Sequence, residues 1–255
     1  METNNQNNIV LPTIDENSIT LYNSKTFEIE QNDVHIWIAA KENHLNKLEQ
    51  FLSFLSDKEI SRSSKFIYED DKDSFIIRHG TLRSILSKYL KVAPKDVKFF
   101  YNSFDKPFLK IDDKENILKF NLSFSKNIAA ITVCKDDDVG IDIENISKDV
   151  EFEQIAKRRF NKPENEFLLG FTDELSLEDK FFYIWTRKEA ILKGTGKGIF
   201  NKYLKEINVL NDFVNLPNEF AEKVWKLKSI KLNQETLISV ASAKTKCNYL
   251  FFQFN

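Results

Sequence analysis

Two segments carry side chains that could do chemistry: Val139-Gly140-Ile141-Asp142-Ile143-Glu144 and Trp185-Thr186-Arg187-Lys188-Glu189-Ala190-Ile191-Leu192-Lys193. In an extended segment side chains alternate, so Val139, Ile141 and Ile143 share one face and Gly140, Asp142 and Glu144 the other. The first face suits a core. The second bears two carboxylates beside a glycine, and carboxylates so spaced can reach one hard cation, since Mg²⁺ takes oxygen ligands. The same pattern also describes an edge strand with a solvated polar face. In the second segment Trp185, Glu189 and Lys193 fall at i, i+4 and i+8, on one side of a helix. An exposed Glu→Lys pair contributes only about 0.3–0.5 kcal/mol. This one lies beside a broad apolar face and just before the exit Gly194-Thr195-Gly196-Lys197-Gly198, where a ligand could approach the backbone closely.

Other chemistries fit these residues less well. A Walker loop needs a glycine five residues before its Gly-Lys pair and Ser or Thr after it, but Ile191 and Gly198 stand there. His35, His44 and His79 show no HExxH spacing and no cysteine company, which argues against zinc. No GxSxG elbow supports a serine hydrolase. His79 falls on an apolar helical face and reads as a core histidine.

The elements that must position these groups follow from periodicity. The Asn-rich residues 1–30 read as a mobile arm, with room for a strand at its end, and 35–40 as the first buried strand. Leu45, Leu48, Phe51, Leu52 and Leu55 predict one amphipathic helix; Phe75, His79, Leu82, Ile85, Leu86 and Tyr89 predict a longer one ending near residue 90. Short strands are expected at 97–101, 108–111, 120–122 and 128–133, before the 139–144 segment. Helices follow at 150–160, after Pro163, and from Leu177 to a stop at Gly194. Strands at 227–232, 237–241 and 250–254 complete the pattern. The reading is α+β, with two lobes, 31–134 and 135–255, meeting near 130–145.

Composition excludes several classes. With 255 residues and 42% hydrophobic content the chain can bury a core, so wholesale disorder is out. A net charge of −2 gives no global field for nucleic acid or an anionic membrane. No window reaches the roughly 20 apolar residues of a membrane helix. The start METNNQNNIV lacks the order of a secretory signal, and two cysteines far apart point to a reducing cytoplasm.

The two chemical segments, intact, in this order and about 45 residues apart, resemble the 4′-phosphopantetheinyl transferase superfamily. Its hallmark is a (V/I)GxDxE strand followed by a (W/F)xxKExxxK helix. Phe120-Asn121-Leu122-Ser123-Phe124-Ser125 is similar to the family's FNxSHS strand, Lys106-Pro107 to its GKP turn, and Ile155-Ala156-Lys157-Arg158-Arg159-Phe160 to the helix after the acidic motif. Arg62, Lys65, Arg78 and Leu82-Arg83 resemble its basic helical region. The length favours the larger Sfp-type monomer over the single-lobe synthase that forms trimers.

The resemblance implies two similar lobes, each a small antiparallel sheet packed with helices, related by a pseudo-two-fold. It implies transfer of 4′-phosphopantetheine from coenzyme A, as co-substrate, to a serine of an acyl or peptidyl carrier protein, releasing adenosine 3′,5′-bisphosphate. Asp142, Glu144 and Glu189 would hold Mg²⁺ or Mn²⁺, and Glu189, Lys193 and Asp142 would be catalytic. Arg62, Lys65, Arg78, Lys106, Pro107, Ser123, Phe124, Ser125, Lys188 and Lys193 would contact coenzyme A. The first lobe would hold its phosphates; the second would carry the metal site and a carrier surface along 199–216, with Lys197, Lys202 and Lys205 steering an acidic partner. Two departures stand out: Phe124 replaces the family histidine and Asp105 the glycine of GKP. They motivate a rival reading, a non-catalytic carrier-binding scaffold of the same fold. An unrelated Mg²⁺-dependent phosphotransferase is the third reading.

Overall fold

Alternating and continuous apolar runs build two sheets in this computed structural model, which describes residues 9, 11–14, 20–21, 24–110, 117–170, 175–197, 202–216 and 223–255. In chain order the elements begin β1 (Thr20–Leu21), β2 (Asp33–Ala40), α1 (Leu48–Leu52), α2 (Asp57–Ser63) and α3 (Glu69–Leu90). Strands β3 (Phe99–Tyr101), β4 (Pro107–Leu109), β5 (Leu118–Ser125), β6 (Ile128–Lys135) and β7 (Val139–Asn145) follow. Next come α4 (Phe152–Arg159), α5 (Lys162–Leu169) and α6 (Leu177–Thr195). The last are β8 (Phe213–Asn215), β9 (Val224–Asn233), β10 (Thr236–Ser242) and β11 (Asn248–Gln253).

One sheet has the order β1-β11-β2-β6-β5, the other β7-β10-β9-β8, and β3 and β4 form a separate hairpin. Helix α3 covers the first sheet, burying Phe75, Ile85 and Leu86 among Trp37, Phe120 and Ile131. Helix α6 covers the second, with Phe181, Ile184 and Ile191 among Trp225, Leu227 and Leu237. Between the lobes Val34, Ile36 and Ala130 meet Val139, Ile141, Ile143 and Val240. The apolar face expected of the VGIDIE segment is therefore the inter-lobe core. The fold is α+β with two lobes of one plan, as expected.

Four features differ from expectation. Strand β11 lies parallel to both β1 and β2, so residues 248–253 belong to the first sheet, which is mixed rather than antiparallel, and the 135–255 division does not hold at its end. Within the expected mobile arm, Thr13 bridges Lys231, Leu11 and Ile14 are buried, and Thr20–Leu21 pairs with β11. Leu11 and Ile14 find slots that local pattern cannot reveal; residues 1–8, 10, 15–19 and 22–23 lie outside the described residues. Residues 41–47 form a 3-10 turn before a short α1, leaving Leu45 and Leu52 exposed rather than on one helical stripe. Of the expected carrier surface along 199–216, Leu204, Ile207, Val209, Val214 and Leu216 are buried while Phe213 stays exposed, and residues 199–201 lie outside the described residues. Among the described residues no helix is long and apolar enough to cross a membrane.

Candidate active site

The polar face of β7 is turned toward α6. A Cβ at Gly140 would meet the Ala190 carbonyl oxygen at 1.9 Å and the Gly194 nitrogen at 2.4 Å, so only glycine lets the helix backbone lie on this strand. That contact brings Glu189 and Lys193 beside Asp142 and Glu144. Lys193 Nζ donates to Asp142 Oδ1 at 2.6 Å and to Ser123 Oγ at 2.7 Å. Ser123 Oγ donates in turn to Asp142 Oδ1 at 3.0 Å. Trp185 and Ser125 both favour the charged form of Glu144, Ser125 Oγ through a long 3.5 Å contact with its carboxylate.

The electrostatics of this cluster are unusual. Burial pushes the Asp142 carboxyl up, against the pull of Lys193 and Ser123. Burial, then the neighbouring Asp142 charge, raises both Glu144 and Glu189 to about 7. Three carboxyls thus share the Lys193 ammonium, with the Arg159 charge also acting on Glu189, and Asp142 Oδ2 is buried with no hydrogen-bond partner. A set of hard oxygen donors with surplus negative charge and an orphaned carboxylate oxygen fits Mg²⁺ or Mn²⁺. The fit stops short of a ready-made cage: among the described residues no three acidic, His or Cys side chains stand close enough to hold an ion as they are. Uncompensated carboxylates repel, and the Lys193 ammonium offsets part of the Asp142 charge.

Strand β5 connects this acidic cluster to a basic one. Ser123 points to Asp142, while exposed Phe124, on the opposite face, lies under the Arg78 guanidinium, 3.5 Å from the ring centroid. Burial, then the charge of Arg62, lowers Arg78 to about 10, so it stays cationic at neutral pH. Arg62 and Arg78 both lie over the Phe75 ring, at 5.7 and 5.9 Å, and Lys65 is exposed just past α2. Arg78, Phe124, Lys41 and Lys126 line a shallow groove. His79 stacks on Phe75 and contacts Glu59 at 3.2 Å, as a satisfied core histidine should. Arg83 pairs with buried Glu59 at 2.7 Å and has a structural role.

The Lys106-Pro107 turn joins the lobes. Lys106 Nζ donates to the Gly194 carbonyl at 2.5 Å, and Asn102 Nδ2 to that of Gly196 at 2.8 Å, so the hairpin caps the end of α6. Burial lowers Lys106 to about 8. Lys106, Pro107, Phe100, Phe108 and Lys119 line a cleft of about 100 Å³. Asp105 holds a left-handed φ of 60°, which accounts for the family's glycine at this turn.

One expected ligand contact is corrected. Lys188 is fully buried, and its Nζ donates to the Leu204 and Ile207 carbonyls at 2.7 and 2.6 Å while pairing with Glu164 at 2.9 Å. Three acceptors use its three protons, leaving none for coenzyme A. Beside it Arg187 donates to the Val209 and Asn211 carbonyls at 2.6 and 2.7 Å. These two side chains draw the 204–211 backbone onto α6, which is why its apolar residues are buried. Lys205 is exposed and donates to the Lys157 carbonyl at 3.0 Å, Lys197 is half-buried, and residues 198–201 lie outside the described residues.

Asn121 was marked by no chemical spacing, yet its Oδ1 accepts from the Ile141 amide at 3.0 Å. Ser123 and Ser125 likewise accept from the amides of Ile143 and Asn145 at 3.4 and 3.1 Å. The signal was present in Phe120–Ser125, whose polar residues recur with period two.

Comparison with known proteins agrees with this geometry. The sequence matches the family model of the 4′-phosphopantetheinyl transferase superfamily over residues 138–241 and that of the 4′-phosphopantetheinyl transferase N-terminal region over 37–135. It is 38% identical over 212 residues to 4′-phosphopantetheinyl transferase HetI of Nostoc sp., covering 83% of this chain and 88% of that protein. It is 30% identical over 154 residues to 4′-phosphopantetheinyl transferase Sfp of Bacillus subtilis, covering 59% and 64%. With the L-aminoadipate-semialdehyde dehydrogenase-phosphopantetheinyl transferase of Mus musculus it shares 27% identity over 208 residues, covering 74% and 67%. Matched along both lobes, and carrying the acidic strand and the Glu-Lys helix against each other, the chain belongs to the 4′-phosphopantetheinyl transferase superfamily and is a 4′-phosphopantetheinyl transferase.

Proposed function

We propose that this enzyme takes coenzyme A as donor and moves its 4′-phosphopantetheine group to a serine hydroxyl of an acyl or peptidyl carrier protein, acting as a cytoplasmic monomer with Mg²⁺ or Mn²⁺. The bond formed joins the serine oxygen to the β-phosphorus; the bond broken releases adenosine 3′,5′-bisphosphate; the serine proton passes to a base. The observation that carries this reading is the Lys193–Asp142 contact of 2.6 Å inside a three-carboxyl cluster, one residue along β5 from the Arg78–Phe124 stack. A pyrophosphate donor needs charge neutralisation and in-line positioning more than covalent help.

Asp142, Glu144 and Glu189 would hold the divalent ion, which supplies charge neutralisation at the pyrophosphate when bound. Lys193, anchored by Ser123, puts an ammonium where charge builds on the leaving phosphate. Glu189, lifted to about 7, is poised to accept the serine proton near neutral pH, with Asp142 as the second candidate. Arg78, with Arg62 and Lys65, offers positive charge to the donor's nucleotide end. Phe124 cannot donate a hydrogen bond there, and the guanidinium stacked on it supplies the charge instead.

Mass spectrometry of apo carrier proteins incubated with the enzyme, coenzyme A and Mg²⁺ tests this. We expect a mass gain of one phosphopantetheine group on the carrier, abolished by Asp142→Ala. Binding without any gain, across fatty-acid and peptide carriers, would instead favour the non-catalytic scaffold.

A further inference from the structure

Among the described residues strand β7 is an edge strand of its sheet, paired only with β10, so the amides of Ile141, Ile143 and Asn145 point away from that partner. Buried edge amides need acceptors. Here none comes from a backbone ladder. Asn121, Ser123 and Ser125 of β5 meet these amides one by one with their side chains, each exactly twenty residues earlier. The constant offset means that β5 and β7 run in the same direction, one per lobe.

We propose that these three side chains form a surrogate strand edge that fixes β7 in register, and that Asn121 is a positioning residue for the acidic cluster. The inference rests on reading that cluster as the active site. Register matters because side chains on a strand alternate. A slip of one residue would swing Asp142 and Glu144 into the inter-lobe core and Ile141 and Ile143 toward α6. Ser123 shares the work of the ladder with direct contact to Asp142 and Lys193. Asn121 touches neither, yet it holds the Ile141 amide between Gly140, on which α6 rests, and Asp142. Removing its oxygen leaves a fully buried amide unpaired beside the carboxylate.

The test compares Asn121→Ala, Asn121→Ser and Leu86→Ala, the last a core truncation in α3 remote from β7. Ser123 and Ser125 reach their amides with a hydroxyl, so serine at 121 keeps an acceptor at a working length. Four readouts apply: thermal stability, exchange of the Ile141 amide by NMR, Mn²⁺ binding by calorimetry, and kcat with the KM for coenzyme A. Supporting shells of metal sites are worth about 10–100-fold in affinity or activity. Asn121→Ala should therefore lose about tenfold or more in Mn²⁺ affinity and in kcat, with faster Ile141 exchange and a KM for coenzyme A within about twofold. Asn121→Ser should recover much of both, and Leu86→Ala should lose stability alone. If Asn121→Ala unfolds, the serine variant is compared with wild type by the same measures. Loss of stability in Asn121→Ala with unchanged Mn²⁺ affinity and kcat overturns the proposal. If wild type binds Mn²⁺ but loads no carrier, the functional reading fails, and the affinities alone decide the role of Asn121.

Discussion

The contact between β7 and α6 makes Gly140→Ala a severe perturbation for one methyl group. The new carbon would sit 1.9 Å from the Ala190 oxygen, 2.4 Å from the Gly194 nitrogen and 2.8 Å from the Gly194 Cα. All three are backbone atoms of a helix and cannot rotate aside. Ordinary contact begins near 3.4 Å, so α6 must retreat from β7 by about 1.5 Å. Replacing glycine by alanine gains about 0.4–1 kcal/mol through the unfolded chain where the space exists. Overpacking costs about 1–3 kcal/mol, so the clash outweighs that gain. Glu189 and Lys193 flank the two clash points, and a misplacement of about 1 Å can cost roughly 10²-fold in rate. We expect Gly140→Ala to fold with a melting temperature a few degrees lower and to load carrier protein about 100-fold more slowly. Calorimetry and a mass-spectrometric time course measure the two effects. A variant with wild-type melting and kcat within about threefold would refute the argument that this contact sets the site geometry.

Three further outcomes follow from other contacts. Lys188→Met strands the Glu164 carboxylate in the core, where breaking a buried pair costs about 3–5 kcal/mol; Lys188→Met/Glu164→Leu should recover most of that in thermal melts, and no recovery would mean that the loop contacts dominate. Glu144 and Glu189 bind protons up to about pH 7 when folded but only to about 4.5 when unfolded, so their contribution is complete below pH 4.5 and fades as pH rises through 7. In chelator the melting temperature should fall over that window and Mg²⁺ should flatten the fall, whereas a curve already flat in chelator contradicts the cluster's electrostatics. Arg78→Ala should raise the KM for coenzyme A several-fold with little change in kcat, and an unchanged KM would remove Arg78 from the donor site.

Much of the site could be read before any coordinates. Period two put Asp142 and Glu144 on one face of β7, and i+4 spacing put Glu189 and Lys193 on one side of α6, because both patterns are local. Lys188 was misread for the opposite reason. Its place on α6 follows from spacing, but its partner Glu164 comes from the capping box of α5, and its carbonyl acceptors come from a later loop. The same holds for β11, whose apolar residues predict a strand but not its insertion beside β2. In the 45–55 region the leucine spacing fitted a helix, yet residues 41–47 turned as 3-10 and left Leu45 in solvent.

The insertion of β11 between β1 and β2 ties the order of synthesis to assembly. As the chain leaves the ribosome, β2, β5 and β6 emerge early, but the slot beside β2 stays open until residues 248–253 arrive. During that interval the exposed flank of β2 is a template for a foreign strand. Nascent chains stalled before residue 248 should therefore engage chaperones through this flank, and two fragments divided at residue 135 should become soluble only when produced together.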